Sequence, residues 1–84
     1  MKIRVYGPGC YACNELDRRV INVLAKLGIA VDYMKVSDVK GITDAGVLFT
    51  PALEINGKVV SSGRLLSERQ LEKLITGALS EAHS

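Results

Sequence analysis

The chain has 84 residues, 48% of them hydrophobic, and a formal net charge of +2 at pH 7. That is enough apolar material for one core and too little length for a second, so one domain spanning 1–84 is expected. Outside the short run Asp17-Arg18-Arg19, basic and acidic residues are interspersed, so charge gives nucleic-acid binding no support. Lys2 and Arg4 flank only a brief apolar stretch, which Gly7-Pro8-Gly9 interrupts. Neither a signal peptide nor a membrane span is expected, and the reading is of a monomeric cytoplasmic protein.

In chain order, Lys2 to Tyr6 alternates polar Lys2 and Arg4 with apolar Ile3 and Val5, which predicts a first strand ended by Gly7-Pro8-Gly9. From about Tyr11 to Leu27, apolar Leu16, Val20, Leu24 and Leu27 recur at helical spacing opposite Asp17, Arg18, Asn22 and Lys26. This is an amphipathic helix closed by Gly28. Ile29 to Val36 is rich in β-branched and aromatic residues and predicts a second strand. Ser37 then offers a cap for a short, glycine-interrupted helix over Asp38 to Ala45. Asn56-Gly57 separates Ala52–Ile55 from Lys58–Ser61 and suits a two-residue type I′ hairpin turn. Ser67 and Gln70 form a capping box, Leu66 and Leu71 a hydrophobic staple, and Leu71, Leu74, Ile75 and Leu79 the apolar face of a final helix. The order is βαβαββα, an α/β arrangement whose first two strands run parallel because a crossover helix joins them.

The chemistry lies in Cys10-Tyr11-Ala12-Cys13, where the first strand hands over to a helix. A bridge between cysteines this close shuts too short a loop to serve as a structural brace. Helical residues three apart sit on one face roughly 5–6 Å from each other, within reach of a disulfide that can open and close without unfolding. Cys10 falls at the helix N-terminus, where unpaired N–H groups and the helix dipole stabilise a thiolate, which makes it the candidate nucleophile. Cys13, one turn further in, suits the residue that resolves a mixed disulfide. Other readings compete for the same pair. Two ordinary core cysteines would need spacing and helix-start placement to coincide. A zinc site wants four ligands, and beyond the cysteines the chain offers His83. A copper(I) carrier needs only two thiolates, and Gly7 to Cys13 resembles the strand-to-helix loop of heavy-metal-associated domains. Those domains end on a strand, whereas here a helix comes last. Gly7-Pro8-Gly9-Cys10-Tyr11-Ala12 also matches the spacing of a dinucleotide loop, but the chain is too short for that fold.

With Cys10-to-Cys13 after the first strand and Thr50-Pro51 opening the hairpin, the chain resembles the small archaeal and bacterial thioredoxin-like redox-active disulfide proteins over nearly its whole length. The resemblance implies a thioredoxin-like fold, with a central four-stranded mixed sheet flanked by helices. It also implies a cis Thr50-Pro51 bond lying against the cysteine pair, and a dithiol–disulfide oxidoreductase that uses neither metal nor organic cofactor. Pro51 has no N–H to give to a sheet, which leaves the Thr50 backbone free to pair with an extended substrate segment beside Cys10. Alternatively, Pro51 merely starts an edge strand. Tyr11 resembles the glutaredoxin tyrosine that borders the first cysteine, and with Thr50 and Pro51 it completes the expected substrate contacts.

The departures are informative. Gly9 stands where thioredoxins usually place Trp, and Tyr11-Ala12 where they enclose Gly-Pro. Arg4 occupies the position of their buried acid, six residues before the first cysteine, so the proton acceptor for Cys13 is not identified. Ser61-Ser62-Gly63-Arg64 replaces the Gly-Gly and Asp with which glutaredoxins bind glutathione. Protein disulfides are therefore the expected substrates, and a thioredoxin-reductase-like flavoprotein a possible electron donor.

Overall fold

The computed structural model describes residues 1–82; His83, the third ligand of the zinc reading, lies outside the described residues. The chain runs β1 (Lys2–Tyr6), α1 (Tyr11–Leu27), β2 (Asp32–Val36), α2 (Val39–Asp44), β3 (Ala52–Ile55), β4 (Lys58–Ser62) and α3 (Glu68–Ala82). This is the expected order, and the strands form one mixed sheet in the order β2-β1-β3-β4. Because α1 carries the chain back across the sheet, β1 and β2 pair in parallel from Lys2↔Asp32 to Tyr6↔Val36. β1 pairs antiparallel with β3, from Ile3↔Ile55 to Tyr6↔Ala52.

Alternation along the strands divides the apolar residues between two faces. Ile3, Val5, Leu53 and Ile55 form the main core with Leu16, Val20 and Val23 of α1 and Leu71 and Ile75 of α3. Tyr6 and Ala52 join Ile42 of α2 and Val47 in a smaller cluster. Within α1, Val23 is fully buried, while the expected core residues Leu24 and Leu27 pack at its margin.

The hairpin turn has φ 53° at Asn56 and 83° at Gly57, the two positive values that a type I′ turn requires. Its side chain reaches across the sheet as well: the Lys2 N–H donates to Asn56 Oδ1 at 2.9 Å. The capping box is reciprocal, with the Gln70 N–H donating to Ser67 Oγ at 3.2 Å and the Ser67 N–H to Gln70 Oε1 at 2.9 Å. Leu66 and Leu71 are both buried beside it, as a staple requires.

Three boundaries differ from expectation. The second strand starts at Asp32, not Ile29. Gly28, at φ 67°, closes α1, and the Ile29 N–H is drawn back to the Leu24 carbonyl at 3.4 Å. The parallel ladder then begins only where β1 begins, with the Asp32 N–H donating to the Met1 carbonyl at 2.9 Å. Asp38 rather than Ser37 caps α2, its carboxylate accepting the Gly41 N–H at 2.8 Å. β4 runs one residue further than expected, to Ser62.

Candidate active site

The loop between β1 and α1 is built on two glycines with different tasks. The Gly7 N–H donates to the Val36 carbonyl at 3.0 Å, extending the parallel ladder by one bond. Gly7 is buried, and a Cβ on it would lie 2.5 Å from the Cβ of Cys13, so the space a side chain would need belongs to that cysteine. Gly9 turns the chain at φ 99°, a conformation that other residues rarely adopt.

Cys10 follows as the N-cap of α1, in an extended conformation with φ −69° and ψ 166°. Its Sγ accepts the Cys13 N–H at 3.2 Å, and its carbonyl accepts the Asn14 N–H at 3.0 Å. The helix thus aims a free N–H of its first turn at the Cys10 sulfur, and no acidic residue stands in that turn to oppose a negative charge there. The two cysteines have Cα atoms 5.1 Å apart and are joined as a disulfide. Cys10 is exposed and Cys13 is fully buried. One sulfur can therefore meet a partner molecule while the other is shielded behind it.

Thr50-Pro51 is a cis peptide bond. The ladder of β1 with β3 ends at the Tyr6↔Ala52 pair, so Pro51 enters β3 at the same end of β1 from which Gly7 leads on to Cys10. Pro51 is buried and Thr50 half-buried. The hairpin supports this turn from the other side: the Gly63 N–H donates to the Pro51 carbonyl and Ser62 Oγ to the Phe49 carbonyl, both at 2.9 Å. Just before it Leu48 and Phe49 are left in solvent at 86% and 67% exposure, and Tyr11, next to Cys10, is 80% exposed.

At the position of the missing acid, the half-buried Arg4 lies 3.7 Å from Asp32 and pairs across the sheet with Glu54. Burial first, and then the neighbouring Glu54 carboxylate, push the Tyr6 phenol above its ordinary range. These groups lie along one sheet face.

Sequence reasoning placed Cys10, Cys13, Tyr11, Thr50 and Pro51, and the structure gathers the cysteines and the proline at one end of β1. It missed the seat that Gly7 gives Cys13, and Asn14 and Lys35, whose side chains meet across 21 positions of sequence. The exposed Leu48 and Phe49 carry no local motif, although two consecutive bulky apolar residues before a turn proline were a signal. Among the described residues no group of three or more His, Cys, Asp or Glu is arranged to hold a metal ion. Nothing in this geometry favours the copper(I) reading.

Comparison with known proteins agrees. Residues 1–76 match the family model described as a thioredoxin domain. A protein named thioredoxin from Methanothermobacter thermautotrophicus is 30% identical over 76 residues, covering 90% of this chain and 99% of its own. Another of that name from Methanocaldococcus jannaschii is 31% identical over 71 residues, covering 84% of this chain and 81% of its own.

Proposed function

The chain belongs to the thioredoxin family, and from that membership we infer how its two cysteines divide the work of thiol–disulfide exchange. The protein is a dithiol–disulfide oxidoreductase. The observation that carries the division of labour is the contrast between Cys10, exposed as the N-cap of α1, and the fully buried Cys13 at disulfide distance behind it.

Cys10 acts as a thiolate, favoured by the Cys13 N–H and the helix terminus. It attacks one sulfur of a substrate disulfide; an S–S bond to the substrate forms, and the other substrate sulfur leaves as a thiolate. Cys13 then loses its proton and attacks Cys10 Sγ, which closes the intramolecular disulfide and releases the second substrate thiolate. Two electrons pass from the cysteine pair to the substrate, and two protons complete its thiols. A thioredoxin-reductase-like flavoprotein is the proposed donor that returns the electrons.

The substrate is a protein disulfide in an extended segment. It lies against the exposed Tyr11, Leu48 and Phe49 and pairs with the Thr50 backbone, where Pro51 offers no N–H of its own. The protein works as one monomeric domain in the cytoplasm, where thiols are kept reduced. Among the described residues no helix is long and apolar enough to cross a membrane.

The test is a redox titration in defined thiol buffers together with two variants. The parent forms a reversible intramolecular disulfide, Cys10→Ser abolishes reduction of a model protein disulfide, and Cys13→Ser accumulates a mixed disulfide. If both variants reduced that substrate as fast as the parent, the reading would be wrong.

A further inference from the structure

Asn14, the residue after Cys13, is exposed, yet both ends of its amide are engaged. Lys35 Nζ donates to Asn14 Oδ1 at 2.7 Å, and Asn14 Nδ2 donates to the Gly9 carbonyl at 3.3 Å. Lys35 reaches it from β2, where it pairs with Val5. A cation on one edge of the sheet is thus linked by two hydrogen bonds to the peptide group that joins Gly9 to Cys10.

Resting on the reading that Cys10 and Cys13 cycle between dithiol and disulfide, we propose that Lys35, acting through the Asn14 amide, is a positioning residue that sets how oxidising the pair is. The reduced protein carries a charge on Cys10 and the disulfide carries none, so a fixed cation nearby stabilises the reduced form selectively. Lys35 takes part in none of the ion pairs among the described residues. The first turn of α1 holds no acid, Glu15 is paired with Arg18 and Arg19, and Asp17, one turn beyond Asn14, accepts the Tyr33 hydroxyl. The amide adds a second effect. A cation on Oδ1 polarises the N–H that faces Gly9, strengthening that bond. Through that bond the Asn14 amide holds the Gly9 carbonyl, the peptide oxygen directly before Cys10.

The experiment equilibrates the whole protein with reduced and oxidised glutathione. Two electrons move from the protein dithiol to the glutathione disulfide, giving the Cys10–Cys13 bond and two glutathione thiols. Lys35→Gln is expected to shift the equilibrium toward the protein disulfide by about threefold to tenfold, tenfold being about 30 mV more negative. In a Cys13→Ser background, the same substitution moves the Cys10 thiolate titration, followed by ultraviolet absorbance, to higher pH.

Lys35→Arg restores both readouts. Asn14→Ala shifts them in the same direction as Lys35→Gln, and the double variant moves no further than the larger single one. Raising the salt from about 0.05 M to about 1 M collapses the Lys35→Gln difference, because screening removes a charge effect but not a packing effect. Lys26→Gln, which removes a cation paired with Glu72, leaves the equilibrium unchanged.

Lys35→Gln and Asn14→Ala values indistinguishable from the parent, a shift that survives high salt, or additive single effects would each overturn the proposal. Failure of the parent itself to reach a reversible thiol–disulfide equilibrium would instead sink the oxidoreductase reading, and the proposal with it.

Discussion

Cys13 occupies the volume that any side chain at Gly7 would need, and the contact involves the buried cysteine on one side and the backbone just past β1 on the other. Neither can retreat cheaply, since Gly7 is also bonded to Val36. Gly7→Ala is therefore expected to destabilise the fold by about 1–3 kcal/mol through overpacking, read as a lower denaturation midpoint with an unchanged slope. Glu15 gives a different single-residue test. The Arg18 guanidinium, foremost, and Arg19 hold its carboxyl below the ordinary range despite some loss of solvent. A carboxyl depressed in the folded state contributes stability above its unfolded pKa of about 4.3, and loses it as pH falls through the lower folded value. The parent's melting temperature should then fall more steeply than that of Glu15→Gln as pH drops below about 5, and the two curves should converge in acid. Parallel curves would mean that these pairs contribute nothing, as many ion pairs at a protein surface do.

Among the elements, α3 allows opposite changes to be made in one helix. Ser67→Ala removes the hydroxyl that accepts the Gln70 N–H, one side of the capping box, and should cost about 0.5–2 kcal/mol. Gly77, inside the same helix, has nothing within 4 Å of where a Cβ would stand, so Gly77→Ala should stabilise by roughly 0.5–1 kcal/mol. Thermal melts would show the two shifts with opposite signs, each about 4–8 °C per kcal/mol for a domain of this size. These features were legible in the sequence because they are local: a cap and its partner lie three residues apart, and Asn56-Gly57 names its own turn. The boundaries that moved were set from a distance. Ile29 to Val31 has strand composition, but β1 begins at Lys2 and leaves those residues no ladder to join. Ser37 and Asp38 are both good caps. Asp38 prevails in a turn where a Cβ on Gly41 would lie 2.8 Å from Val36 Cγ1 and 2.9 Å from Asp38 Oδ1, a closeness only glycine allows.

Across the whole molecule, the two faces of the sheet are unequally protected. Among the described residues, the cluster under α1 and α3 holds ten buried hydrophobic residues, whereas the cluster under α2 holds four. α2 itself is a six-residue helix whose one buried residue is Ile42. Native-state hydrogen exchange should find the α2 amides, such as those of Ile42 and Ala45, opening well below the free energy of global unfolding, with α1 amides near Val20 exchanging only through it. Equal protection in the two helices would show a single cooperative unit. The candidate site was legible at this scale only in part. The Cys10–Cys13 motif and Pro51 declared themselves as patterns, but Gly7 facing Cys13 and Lys35 reaching Asn14 exist only once the chain is folded, and no spacing encodes them. The unequal seating of the two sulfurs has a practical consequence. In the reduced, folded protein an alkylating reagent should mark Cys10 alone, and a second adduct should appear only when Cys13 is laid open by unfolding, so the mass of the labelled chain counts native and unfolded molecules directly.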